Sequence, residues 1–142
     1  MGMFDVLAIS SSGLRAQRNR LEVIATNLAN VHTTRTEEGG PYKKKDIVFA
    51  SDDVSGVKFS SLFKQKVEGV KVDTIQESNK SFEKIFDPAH PDADKEGYVT
   101  LPNVNVMEEM VDMMSATRSY EANTNVISAT KHMFMKAIEI LK

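Results

Sequence analysis

The sequence predicts an α+β protein, with long N- and C-terminal α-helices paired as a coiled-coil-like inner domain around a small β-rich middle region. Three observations carry this. Leu7, Leu14, Leu21 and Leu28 recur at a spacing of seven near the N-terminus. Val106, Met113, Tyr120, Ile127, Phe134 and Leu141 recur at the same spacing towards the C-terminus. Between the two periodic stretches lie all four prolines and most of the glycines, among short β-branched runs. The expected divisions are residues 1–33, 34–103 and 104–142.

Residues 3–30 contain no proline and only one glycine, Gly13. Phe4, Ile24, Ala25 and Val31 flank the leucines, which makes an amphipathic helical pattern. At about 1.5 Å per residue the helix would be about 40 Å long. Asn27 and Asn30 near its end suit a terminal left-handed residue.

In the middle region Gly39-Gly40-Pro41 marks a turn. The runs DIVFAS (46–51), GVKFSSLF (56–63), GVKVDTI (69–75), SFEKIF (81–86) and GYVTL (97–101) read as short antiparallel strands. From Asn105 onwards there is no glycine or proline. Asn105 followed by Glu108 has the form of a capping box. Met110, Ala116, Ala137 and Ile138 widen the C-terminal stripe, and that helix would run about 55 Å. Six of the eight methionines lie in it, which suits packing against non-identical partners.

Neither helix can bury its stripe within its own segment. A leucine buried rather than exposed is worth roughly 1.5–3 kcal/mol. The simplest partner for each stripe is the other one, so Leu7, Leu14, Leu21 and Leu28 are expected to pack inward with Met113, Tyr120, Ile127, Phe134 and Leu141. A two-helix pair leaves part of each widened stripe uncovered. That remainder points to assembly with other chains.

Composition excludes several classes. Eighteen basic against twenty acidic residues, a net charge of −2, make no field that would gather nucleic acid or an anionic membrane. Without cysteine there is no thiolate chemistry, disulfide or zinc–thiolate site. The N-terminus lacks a basic region and a long apolar run, so it is no secretory signal, and Val6 fails the myristoylation pattern after Gly2. No run approaches the roughly 18 apolar residues of a membrane span.

The densest polar cluster is FDPAHPDADKEGY, residues 86–98. Asp92, Asp94, Glu96 and Gly97 follow the opening of a calcium loop, but the twelfth position is Asn103, where a bidentate Glu belongs. His90 has no histidine nearby in sequence, since His32 and His132 lie in other segments. Asp–Pro and His–Pro steps, and Asp side chains that satisfy turn N–H groups, read instead as a structured connector. Its expected residues are Asp87, Pro88, His90, Pro91, Asp92, Asp94, Gly97, Tyr98, Pro102 and Asn103. Lys43-Lys44-Lys45 reads as a solvated strand or turn edge. No catalytic, cofactor or metal residue is expected, and no cofactor.

The segments NLANVHT (27–33), GGPYKKKDIVF (39–49), FDPAHPDADKEGYVTLPNVNVMEEMVDM (86–113) and RSYEANTNVI (118–127) resemble the bacterial flagellar axial proteins, and within them the basal-body rod proteins of the proximal rod. NLAN alone would be shared by many axial proteins; the block from Phe86 discriminates. The resemblance implies a non-enzymatic rod subunit that assembles through its terminal helices into a helical tube and transmits motor torque. It implies export by the flagellar type III apparatus without a cleaved signal, and a place in the rod across the periplasm. Its partners would be copies of itself, other rod proteins, and the adaptor between the basal-body ring and the export gate. Nucleic acid and direct membrane insertion are not implied. Carried over residue by residue, Asn27, Asn30, Tyr120, Glu121, Asn123 and Ile127 join the helical stripes as assembly interface. Residues 77–81 are less proline-rich than the pattern before its DP-x-HP block. The alternative is a soluble coiled-coil adaptor that forms closed small oligomers.

Overall fold

The structure is a computed structural model and describes residues 2–37, 39–53 and 68–140. Its elements are α1 (Met3–Ala29), β1 (Lys45–Asp53), β2 (Glu68–Glu77), β3 (Glu83–Phe86), β4 (Tyr98–Leu101) and α2 (Val106–Ile140). It is α+β, with two long terminal helices and a small antiparallel β region between them. Four of the expected strands are present; the fifth, over 56–63, lies outside the described residues, as does Leu141.

Local signals set the helix ends. The Asp5 carboxylate accepts the Gly2 N–H at 2.6 Å and places negative charge in the first turn of α1. Asn105 caps α2, its Oδ1 accepting from Met107 N at 3.0 Å and Glu108 N at 3.2 Å. Glu108 turns its carboxylate to Lys80, so the expected box is half realised. Asn30 ends α1 with φ −102° and ψ 12°. Only Gly39, Gly40 and Gly97 have positive φ among the described residues, which corrects the expected left-handed cap.

The helices run antiparallel. Gly13 faces Asn123, Arg20 Nη2 meets Asp112 Oδ1 at 2.9 Å, and Asn27 meets Glu109. A Cβ on Gly13 would stand 3.1 Å from Asn123 Nδ2, so the missing side chain is what lets the two backbones approach. The buried seam of α2 is Glu109, Ala116 and Thr130, with Asn123 half-buried in the same seven-residue register. On α1 it includes Ala16, Ile24 and Asn27.

This corrects the expected packing. Met113 and Ile127 are half-buried beside the seam, while Tyr120 and Phe134 remain exposed. Leu7, Leu14, Leu21 and Leu28 are half-buried, each about 100° around α1 from the line of Val6, Gly13, Arg20 and Asn27 that faces α2. Close approach selects small residues for the seam and leaves the large ones on its flanks.

β1 and β2 form an antiparallel ribbon from Lys45↔Glu77 to Asp53↔Glu68, with a bulge between Val48 and Phe49. β2 lies along α1, where Val70 N donates to Ser12 Oγ at 3.1 Å. β3 and β4 form a second pair, Glu83↔Leu101 to Phe86↔Tyr98. α1 thus has one face on α2, one on the ribbon, and a third carrying the leucines.

Candidate assembly site at the root of the helix pair

At the end of α1, the 42–45 segment and α2 converge on one side chain. Asn27 is 1% exposed. Its Nδ2 donates to Lys45 O at 2.9 Å and to Glu109 Oε2 at 3.1 Å. Its Oδ1 accepts from the Tyr42 hydroxyl and the Lys45 N–H, each at 2.9 Å. An amide has two donors and an acceptor with two lone pairs, so every hydrogen-bonding capacity of Asn27 is used.

Glu109, also 1% exposed, carries the network into α2. Lys44 Nζ lies 2.7 Å from Glu109 Oε1, and 3.8 Å from both Glu108 and Asp46. Burial opposes the charge on Lys44, but the Glu109 hydrogen bond and the surrounding carboxylates outweigh it and raise its pKa. The Tyr42 phenol is raised too, by burial and then by the Glu109 and Glu77 charges. Lys44 is thus a buried structural cation, which corrects its reading as part of a solvated edge; Lys43 and Lys45 are exposed.

The connector locks onto the same root. Asn103 Oδ1 accepts the Lys44 N–H at 2.8 Å, and its Nδ2 donates to Lys80 O at 2.9 Å. Further along, Asp94 Oδ1 accepts the N–H groups of Glu96 and Tyr98, each at 2.9 Å. Those backbone bonds, Tyr98's first, lower the Asp94 pKa. Asp87 Oδ1 accepts from Ala89 N and Asp92 Oδ2 from Thr34 Oγ1. Asp92 N donates to His90 Nδ1. Gly97 (φ +83°) lets the Phe86 ring sit where a Cβ would be 2.9 Å from Cε2, and Phe86 stacks edge-on to Tyr98 at 5.4 Å. The carboxylates hold turns, and among the described residues no group of three His, Asp or Glu converges on one point.

Away from the seam, the helix pair is open. Met107, Met110, Val111 and Met114 are exposed on the face of α2 turned away from the seam. No helix among the described residues is long and apolar enough to cross a membrane. Such a surface has the form of a contact face for protein.

Comparison with known proteins places the chain in a family. Residues 7–35 match the family model "Flagella basal body rod protein", and residues 95–140 match "Flagellar basal body rod FlgEFG protein C-terminal". The chain is 45% identical to the flagellar basal-body rod protein FlgC of Borreliella burgdorferi, covering 100% of this chain and 99% of that protein. It is 44% identical to FlgC of Bacillus subtilis over the full length of both, and 39% identical to FlgC of Salmonella typhimurium over 99% of this chain and 98% of that one. This chain belongs to the flagellar basal-body rod protein family. It is a structural subunit of the rod, and nothing favours the closed adaptor.

In this rod protein the residues singled out by sequence fall into three groups. Asn27, expected at the interface between subunits, is buried inside its own chain. Asn30 Nδ2 closes the end of α1 on Thr26 O at 2.9 Å, and Asn123 faces Gly13 within the chain. Glu121, Tyr120 and Phe134 stay exposed. Tyr42, Lys44 and Glu109 were missed as a unit. Their only signal in sequence is that they lie inside the motif segments 39–49 and 86–113, because nothing local distinguishes a buried Lys or Glu from a solvated one.

Proposed function

We propose that this rod subunit builds a helical tube by packing its terminal helix pair against neighbouring helix pairs, and so passes motor torque along the rod. The observation that carries this is the partial coverage of the pair. α1 is covered on two faces and keeps a half-open leucine stripe, while α2 keeps exposed methionines and aromatics along much of its length. Burying such faces against repeated neighbours is the favourable term that drives open, non-closing association. Leu7, Leu14, Leu21 and Leu28, with Met113, Tyr120, Glu121, Ile127, Phe134 and Leu141, form the inter-subunit surface in this reading. Asp87, Pro88, His90, Pro91, Asp92, Asp94, Gly97, Tyr98, Pro102 and Asn103 form the joint that returns the chain to α2. The subunit reaches its place through the flagellar type III apparatus without a cleaved signal. There it meets other rod proteins and the adaptor between ring and export gate, in a rod that crosses the periplasm.

Electron cryotomography of envelopes from cells lacking this chain tests the reading. Rod density that stops near the inner membrane and returns on complementation supports it. Complete rods without the chain would refute it.

A further inference from the structure

The chain has neither cysteine nor tryptophan, but eight methionines. Thioethers are then its softest groups, the ones a two-electron oxidant converts first. They are not spread evenly. Met107, Met110 and Met114 of α2 are 71%, 50% and 57% exposed, and their i, i+3, i+7 spacing sets them on one face of the helix. Met107 lies about 180° around α2 from the buried Ala116, so this strip points away from the seam. Met133 and Met135 are exposed as well, but two positions apart on a helix they face different ways. Met3 and Met113 are half-buried.

We propose that Met107, Met110 and Met114 form an oxidation site, where sulfoxide formation by a hydroperoxide withholds the free subunit from the rod without unfolding it. This adds a regulation to the contact surface of the rod subunit and rests on that reading for its consequence.

In the step itself the sulfur lone pair attacks one peroxide oxygen and the O–O bond breaks. The second oxygen departs with the proton as water. Sulfur loses two electrons to the peroxide, and each site gains one oxygen. The carboxylates beside the strip are neutralised within the chain, Glu108 by Lys80, Glu109 by Lys44, and Asp112 by Arg20. The fitness of the strip for burial therefore rests on its thioethers and on Val111. A sulfoxide oxygen accepts hydrogen bonds from water and is costly to bury unpaired, so three of them turn an apolar strip polar. That loss is the same whichever partner covers the strip. The seam and the buried root lie on the other side of α2, so the fold survives the change. A copy already built into the rod has its contact surface covered, which confines the sensitivity to free copies. Sulfoxides are reducible, so the block is reversible.

Full-length chain treated with hydrogen peroxide, followed by peptide mass spectrometry and circular dichroism, tests the chemistry. One added oxygen at each of Met107, Met110 and Met114, ahead of Met113, with unchanged helix content is the expected result. Slower conversion there than at Met113, or loss of helix as the three convert, would overturn the proposal. In cells lacking the chain, Met107→Gln/Met110→Gln/Met114→Gln imitates the polar strip, and Met107→Leu/Met110→Leu/Met114→Leu keeps it apolar and inert to peroxide. The Leu variant should restore swimming, whereas the Gln variant, at equal abundance, should lower the number of rods by about tenfold or more. Equal swimming would show that the strip tolerates polar atoms and refute the block. A Leu variant that fails alike would tie the effect to the shape of methionine and refute it too. So would a Gln variant that does not accumulate, because polarity would then unfold the chain. If cells complete their rods without the chain, the rod reading falls while the peroxide map stands. If they need it and the Gln variant still builds rods, the rod reading stands and the oxidation block falls.

Discussion

Asn27 and Glu109, 82 residues apart in sequence, meet at 3.1 Å in the buried root where both helices, the ribbon and the connector converge. The contact ties the end of α1 to the first turn of α2. Through Lys44 and Asn103 it also sets where the β region leaves the helices. A shaft subunit needs such a fixed junction, since a loose one would absorb rotation that it should transmit.

Glu109→Leu leaves Lys44 buried without its nearest counter-charge. Breaking a buried pair from one side costs about 3–5 kcal/mol, and the two carboxylates that remain at 3.8 Å place this case near the lower end. Urea unfolding should show a loss of about 3 kcal/mol. Adding Lys44→Met should recover most of it, because the charge and its partner are then both gone. A double variant no more stable than Glu109→Leu would contradict the assignment.

Stability should fall at alkaline pH. Lys44 and Tyr42 have pKa values raised above 10.5 and 10.0 in the fold. Each binds its proton more tightly folded than unfolded, so its contribution is complete below the unfolded value and is lost as pH rises through the folded one. The melting temperature should hold to near pH 10 and then decline, and Tyr42→Phe should make the decline shallower. An unchanged slope in that variant would remove Tyr42 from the account.

Gly13→Val should wedge the helices apart, since even a Cβ would stand 3.1–3.3 Å from the Asn123 amide. Overpacking of this kind costs about 1–3 kcal/mol. Asn123→Ala in the same chain should restore part of the loss, whereas additive effects in the double-mutant cycle would place Asn123 elsewhere.

The connector should respond to Asp94 and Gly97 in distinct ways. Asp94→Ala removes the acceptor for two N–H groups, so Glu96 and Tyr98 amides should exchange faster while the root is unaffected. Asp94's contribution is present above the ordinary carboxylate value of 3.8 and is lost as pH falls through its lowered one. Gly97→Val meets both the positive φ and the Phe86 ring, and should lower stability by about 2 kcal/mol. Retention of full stability would exclude both constraints.

Periodicity, breakers and caps made the two helices, four strands and the turn at Gly39-Gly40 legible, because these are local matters of spacing and backbone freedom. The block from Phe86 was legible as a connector for the same reason: its Asp residues satisfy N–H groups within four positions. The buried register was not. Periodicity draws attention to the largest side chains, so Leu14 and Tyr120 stand out, yet the seam closes on Gly13, Ala16 and Ala116. Two backbones approach only where side chains are small, and that depends on which face meets which.

The sequence by itself determined the elements, their order and the likeness to axial proteins, since each rests on residues near one another in the chain. Only the tertiary structure decided that Asn27, Tyr42, Lys44 and Glu109 form one buried network, and that the leucine stripe stays half open. A polar side chain is worth burying only when its partners arrive, and here they come from segments up to 82 residues away.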